Sequence, residues 1–268
     1  MFDARRYGPW AVIAGASAGV GESFALKLAR TGINLVLIAR NQQSLDQVAR
    51  RVKTESAVEV RTLPLDLTSP DLLERVRAIT DDVAVGLLVY VAGANQSMRR
   101  FFDAPLELAL RVVRLNPVGQ VTLTHHFGKK MAERGRGGIV LIGSLAGYAG
   151  ATPLVAYCAS KAFTEVLAEG LWSELRPHGV DVLYMPLGAV ATPNRERQRE
   201  RSGKGRSELE DDPNKQVMQP DDVAAQSLDA LPDGPLLVAK LVAPYHQQLT
   251  TLPRREASEL MRKMLGGF

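Results

Sequence analysis

Seven short runs of mostly consecutive apolar residues, spaced by longer stretches of helical period, leave few folds open to this chain. Trp10–Ala14, Asn34–Ala39, Val58–Leu63, Gly86–Val91, Gly138–Gly143, Val180–Met185 and Pro235–Ala239 read as strands. Gly19–Thr31, Gln42–Thr54, Asp71–Ile79, Leu106–Arg134, Val155–Arg176, Pro220–Ala230 and Arg254–Leu265 read as helices. A strand exposed on one face would alternate polar and apolar residues, whereas several of these are apolar throughout, as in a parallel sheet covered on both sides. The rhythm therefore predicts one doubly wound α/β domain over residues 1–268, a seven-stranded parallel sheet with helices on both faces.

A chain of 268 residues, 46% hydrophobic and 23% charged, can bury a core of that size. The net charge of +4 comes from basic residues interleaved with acids, which suits one anionic cofactor and argues against nucleic acid. Cys158 is the sole cysteine, so no disulfide forms within the chain. Its most apolar segment, Val83–Ala94, is shorter than the roughly 18 residues of a membrane span, and no signal-peptide pattern precedes Trp10, so a cytoplasmic location is expected. Asn194–Asn214 breaks the rhythm with dense arginine and glutamate, and reads equally as a solvated charge run or as a mobile excursion over a substrate.

Gly15-Ala16-Ser17-Ala18-Gly19-Val20-Gly21 follows the first strand and opens the first long helix. Glycines there allow a tight turn and close approach to a pyrophosphate, and the helix N-terminus offers free N–H groups to an anion. The spacing alone also fits a glycine-rich turn without a ligand. At the end of the second strand this fold meets the adenosine ribose, where an acid accepts from a 2′-hydroxyl and an arginine accommodates a 2′-phosphate. Arg40-Asn41 stand there with no acid, which favours NADP(H) over NAD(H). Asp66-Leu67 after the third strand are candidates for the adenine ring, Asp66 reading equally as a turn residue.

Tyr157 and Lys161 lie one turn apart on a helix and so share a face. Lowering a tyrosine pKa from about 10 to about 7 takes roughly 4 kcal/mol. One ammonium at about 4 Å supplies about that much at an effective dielectric of 20. The pair is adequate for acid–base work, though such pairs also occur on ordinary helices.

As an ordered set, Ala14-Gly15-Ala16-Ser17-Ala18-Gly19-Val20-Gly21, Tyr90-Val91-Ala92-Gly93, Asn116, Ser144 and Tyr157-Cys158-Ala159-Ser160-Lys161 resemble the short-chain dehydrogenase/reductase family over about residues 9 to 193. The resemblance implies a Rossmann-type domain and an NADP(H)-dependent enzyme interconverting a carbonyl and an alcohol on a small-molecule, mainly apolar substrate. It assigns Tyr157 as general acid and base, Ser144 to the substrate oxygen, Lys161 to the ribose hydroxyls and the Tyr157 pKa, and Asn116 to a water relay. Pro117 predicts a local break in helical geometry at Asn116. The cofactor-binding set it implies is Gly15, Ser17, Ala18, Gly19, Val20, Gly21, Arg40, Asn41, Asp66, Leu67, Ala92, Gly93, Tyr157, Lys161, Leu187, Gly188, Val190 and Thr192. A homodimer or homotetramer through Leu106–Arg134 and Val155–Arg176 is also implied.

The chain departs from the family pattern at Ala14, at Tyr90-Val91, where the family has two asparagines, and at Leu187, where it has proline. These changes remove side-chain hydrogen bonds expected to brace the cofactor floor. They are the one feature favouring a non-catalytic dinucleotide sensor or scaffold, whereas the intact Ser144, Tyr157, Lys161 and Asn116 set favours an enzyme. An epimerase or dehydratase would need a longer stretch after Thr192. Leu145, Ala149, Leu154 and Leu187 are candidate pocket walls, and 3-oxoacyl, steroid-like and simple ketone substrates all fit them.

Overall fold

The computed structural model describes residues 2–94, 99–193 and 217–265, so the 194–214 stretch lies outside the described residues. Among the described residues six parallel strands form one sheet in the order β3-β2-β1-β4-β5-β6. They are β1 (Trp10–Ala14), β2 (Asn34–Ala39), β3 (Val60–Pro64), β4 (Val85–Tyr90), β5 (Gly137–Ile142) and β6 (Val180–Met185). The expected seventh strand, Pro235–Ala239, is a correction. It makes one parallel bridge, Leu236 to Tyr184, held by Tyr184 N–H to the Pro235 carbonyl at 2.7 Å and Leu237 N–H to the Tyr184 carbonyl at 2.9 Å. The chain then turns at Lys240, before a longer ladder can form.

The helices are α1 (Ala4–Tyr7), α2 (Val20–Arg30), α3 (Gln42–Glu55), α4 (Leu72–Thr80), α5 (Leu106–Val113), α6 (Gly119–Arg134), α7 (Val155–Leu175), α8 (Pro220–Ala230), α9 (Ala243–Thr251) and α10 (Arg254–Met264). Alternate strand residues feed two cores, which is why the strands are apolar on consecutive positions. Ile13, Leu37, Val89 and Met185 pack with Phe24 and Leu28 of α2, Leu45 of α3 and Leu228 of α8. Val12, Ile38, Leu88 and Leu141 pack on the other face with Val76 of α4, Phe127 of α6 and Leu175 of α7. Each fully buried Leu or Phe contributes about 1.5–3 kcal/mol relative to exposure.

The stretch read as one helix, Leu106–Arg134, is interrupted by a π-helical turn, Arg114–Val118, which contains Pro117. Proline has no N–H to give to the preceding turn, so the helix widens around it instead of breaking at Asn116. Two helices, α1 and α9, were not legible. Only Leu249 of α9 is fully buried, so no apolar stripe marks it.

The strand order reverses beside β1, which pairs with β2 on one side and β4 on the other. Chains leaving the C-terminal ends of β1 and β4 diverge to opposite faces of the sheet, and the crevice between them is where this architecture receives a ligand. Among the described helices none is long and apolar enough to cross a membrane.

Candidate active site

The loop after β1 is pinned from below. Gly15 and Ala16 N–H groups both donate to the Ile38 carbonyl, at 2.8 and 3.1 Å. Gly15 and Gly19 adopt positive φ values of 98° and 59°. At Gly19 a Cβ would also stand 2.8 Å from Thr192 Cγ2, so glycine lets the loop close against the segment after β6. Gly19 precedes Val20 at the start of α2 and provides no side-chain cap, which leaves first-turn N–H groups for an anion. This glycine turn at a helix N-terminus fits a dinucleotide pyrophosphate, and Gly21 lets α2 pack against the Gly15 carbonyl.

Arg40 is exposed at the end of β2, and among the described residues its side chain has no ion pair or hydrogen bond. Asn41 caps α3, its Oδ1 accepting from Ser44 N–H at 2.8 Å, which leaves its amide nitrogen available. Asp66 is more committed than its sequence assignment implies. Its Oδ1 accepts from the Thr68 N–H at 3.0 Å and hydroxyl at 2.9 Å, and its Oδ2 from Arg111 at 2.7 Å. Burial pushes this carboxyl up, but the Arg111 and Thr68 hydrogen bonds outweigh it and hold the pKa below the usual aspartate value. Asp66 is thus a turn residue and an ion-pair partner, with Leu67 buried behind it.

Departures from the family pattern are absorbed by backbone groups. The Ala14 carbonyl accepts from both Val91 N–H, at 2.9 Å, and Ala92 N–H, at 2.8 Å, so the β1–β4 pairing continues past the strand ends without a side-chain hydroxyl. Gly93 follows, and a Cβ on it would lie 3.4 Å from Lys161 Nζ and 3.5 Å from Asn116 Oδ1. The floor after β4 therefore meets the two polar side chains assigned to the chemistry.

Ser144 leaves the end of β5 and Tyr157 lies in the first turn of α7. Ser144 lies close enough to Tyr157 to act on its ionisation, and its Oγ accepts from Ala146 N–H at 3.2 Å, capping the turn that follows β5. Lys161 is 4% exposed, gives a hydrogen bond to the Ile142 carbonyl at 3.1 Å, and holds Nζ 5.8 Å from the Tyr157 ring centroid. Burial lowers the Lys161 pKa to about 8. For Tyr157 the direction expected from the sequence is reversed here: burial raises its pKa, opposed by the Ser144 hydrogen bond. The ammonium points at Ile142 and over the ring, so it does not offset the desolvation of a phenolate.

Asn116 is fully buried, with Nδ2 donating to Ser160 Oγ at 2.8 Å and to the Ala94 carbonyl at 3.1 Å, and Oδ1 accepting from Ala94 N–H at 3.1 Å. Its side chain is committed to protein partners and does not stand open to a water. Ser160 in turn donates to the Tyr157 carbonyl at 2.7 Å, which ties Asn116 to the start of α7. Sequence reasoning missed Ser160, although it lies within the Tyr157 to Lys161 turn and its neighbours are small.

After β6, Leu145 N–H donates to the Leu187 carbonyl at 2.9 Å, and a Cβ on Gly188 would meet Val242 at 3.0 Å. Val190 bridges Met218, holding the strand that leads to Thr192. Leu145, Ala149, Leu154 and Leu187 are all buried in one apolar cluster, joined by Val242 just before α9. Tyr148 meets His246 of α9 edge-on at 4.6 Å, so the C-terminal segment covers this side of the site.

A family profile for short chain dehydrogenases matches residues 9–203. The chain is similar to a 7beta-hydroxysteroid dehydrogenase of Clostridium sardiniense, 31% identical over 188 residues, covering 70% of this chain and 72% of that protein. A solved structure from a study of 7beta-hydroxysteroid dehydrogenase stereoselectivity superposes with a TM-score of 0.89 at 25% identity, over 97% of this chain and 99% of that chain. A short-chain dehydrogenase from Sphingobium yanoikuyae in complex with NADPH gives a TM-score of 0.75 at 29% identity, over 92% of this chain and 97% of that chain.

The buried lysine makes stability depend on pH. With Lys161 lowered from 10.5 to about 8, the folded protein binds fewer protons than the unfolded chain between those values, so stability rises with pH through that window. Replacing Lys161 by Met removes this linkage. Urea denaturation of the ligand-free proteins at pH 7 and pH 10 is expected to show the variant losing about 2–3 kcal/mol relative to wild type between the two. A difference independent of pH would mean that Lys161 is not desolvated.

Proposed function

The chain belongs to the short-chain dehydrogenases, and on that premise we propose that it is an NADP(H)-dependent oxidoreductase interconverting a carbonyl and an alcohol on a bulky, mainly apolar substrate. Hydroxysteroids are the first class to test, because the similar C. sardiniense protein is a 7beta-hydroxysteroid dehydrogenase. The observation that carries this reading is Tyr157 set beside Ser144 and buried Lys161, at the end of the sheet that also carries the glycine loop.

When bound, the nicotinamide dinucleotide supplies or receives the two electrons and one hydrogen that change the oxidation level of the substrate. Gly15, Ser17, Ala18, Gly19, Val20 and Gly21 would hold its pyrophosphate, Arg40 and Asn41 its 2′-phosphate, and Ala92, Gly93, Lys161, Leu187, Gly188, Val190 and Thr192 its nicotinamide half. Paired hydroxyls of Ser144 and Tyr157 bind one substrate oxygen. Burial keeps Tyr157 protonated, so it is poised to give its proton to a carbonyl oxygen as that oxygen becomes a hydroxyl, and to take it back in the reverse direction. The Ser144 hydroxyl opposes the effect of burial and so favours the phenolate left behind. Apolar walls at Leu145, Ala149, Leu154 and Leu187 exclude water from the transfer.

Exposed Leu106, Leu110 and Val113 on α5 and Val155, Phe163 and Val166 on α7 support a homodimer or homotetramer, in which a second copy covers this face. Sedimentation at micromolar concentration is expected to give a species larger than the monomer, and Val166→Glu to shift it toward the monomer. A monomeric wild type would reject this assembly.

Tyr157→Phe keeps the ring and removes the proton, so turnover of oxosteroids with NADPH is expected to fall by about a thousandfold or more while the NADPH dissociation constant changes less than about threefold. Substantial turnover by this variant would overturn the acid–base assignment. Wild type that reduces no oxosteroid, 3-oxoacyl thioester or bulky ketone would overturn the functional reading itself.

Arg40 sets the choice of dinucleotide through charge-assisted hydrogen bonds to a phosphate, each contributing about 1.5–3 kcal/mol. Calorimetry at fixed salt is expected to show wild type preferring NADPH to NADH by about tenfold or more. Arg40→Ala should erase most of that preference and leave NADH binding within about twofold. Equal affinities in wild type would leave Arg40 a surface cation.

A further inference from the structure

Tyr90 ends β4 in a position where a phenol has no role in the chemistry, yet its side chain is fully buried. Its hydroxyl donates to the Leu115 carbonyl at 2.6 Å. That carbonyl needs an outside donor for a local reason. In a continuing α-helix the Gly119 N–H would go to Leu115, but in the π-helical turn it goes to Arg114 instead. Pro117, with no N–H, adds to the shortage of donors in the same turn. Gly119 also clears the space, since a Cβ there would stand 2.4 Å from the Tyr90 hydroxyl oxygen. Phenol, glycine and π turn fit one another.

Leu115 is followed directly by Asn116, whose amide bonds Ser160 Oγ at 2.8 Å, and Ser160 bonds the Tyr157 carbonyl at 2.7 Å. Slipping from π to α register would turn the helix face by up to about 100° and carry Asn116 away from Ser160 and Ala94. We propose that Tyr90 is a positioning residue: by satisfying the Leu115 carbonyl it holds the π turn open, and so sets where Asn116 grips the first turn of the helix that carries Tyr157 and Lys161. The inference rests on the catalytic reading of that helix, and it gives the Tyr90 departure from the family pattern a function.

The test uses Tyr90→Phe, Asn116→Ala and the double variant of the full chain. In the ligand-free protein the side-chain amide NMR signal of Asn116 is expected to shift or broaden in Tyr90→Phe. With NADPH and the best substrate found for wild type, kcat should fall about tenfold with the KM for NADPH within about twofold. Adding Tyr90→Phe to Asn116→Ala should cost nothing further, because both changes release the same tether. Gly119→Ala, which displaces the hydroxyl without removing it, should reproduce the defect and serves if Tyr90→Phe does not fold. Additive losses in the double variant, or a Tyr90→Phe protein with full kcat and an unmoved Asn116 signal, would show that Tyr90 only packs. Should wild type turn over no carbonyl, the functional reading fails, while the Asn116 signal alone still decides whether the tether exists.

Discussion

One carbonyl joins the two halves of this molecule. The Ala14 oxygen accepts from Val91 and Ala92 N–H groups at 2.9 and 2.8 Å, extending the β1–β4 pairing beyond the last strand residues. The glycine loop and the Gly93 floor are thereby held at one height along the sheet. Gly93 then meets Lys161 and Asn116, so those two side chains are referenced to that bond pair. Because a backbone oxygen has two lone pairs, the arrangement needs no side-chain hydroxyl at Ala14.

Around this reference the site gathers polar groups that burial would otherwise disfavour. Lys161 has a carbonyl partner in Ile142, Asn116 is saturated by Ala94 and Ser160, and Tyr90 answers a carbonyl that the π turn leaves open. Each of these three has at least one protein partner, as a water-poor interior requires. What is not balanced is ionisation, since burial lowers Lys161 and raises Tyr157. That imbalance keeps the tyrosine a proton donor, the state a carbonyl reduction calls for.

Most of the architecture was legible because strand period and core burial are local in sequence. β1, β2, β6 and α8 begin and end where apolar pattern and punctuation put them. Pro235–Ala239 failed because an apolar run does not state whether a segment continues a ladder, and this one lies half-buried beside Tyr184 with a single bridge. The break at Asn116 was read from Pro117 in the right place but with the wrong geometry, because whether a helix kinks or widens depends on who satisfies the released carbonyls. Asp66 was read with two roles open, and it was Arg111, remote in sequence, that engaged its second oxygen.

The sequence by itself determined the fold class, the order of the motifs and the residue types available for proton transfer, because each follows from spacing within a single strand, loop or helix turn. Tertiary structure decided which of those groups touch. Ser144 reaches Tyr157 across two elements, Asn116 reaches Ser160 from another helix, and Tyr90 reaches Leu115 from the sheet. It also decided the sign of the Tyr157 shift. Desolvation is a property of everything packed around a group, and no local pattern of residues encodes it.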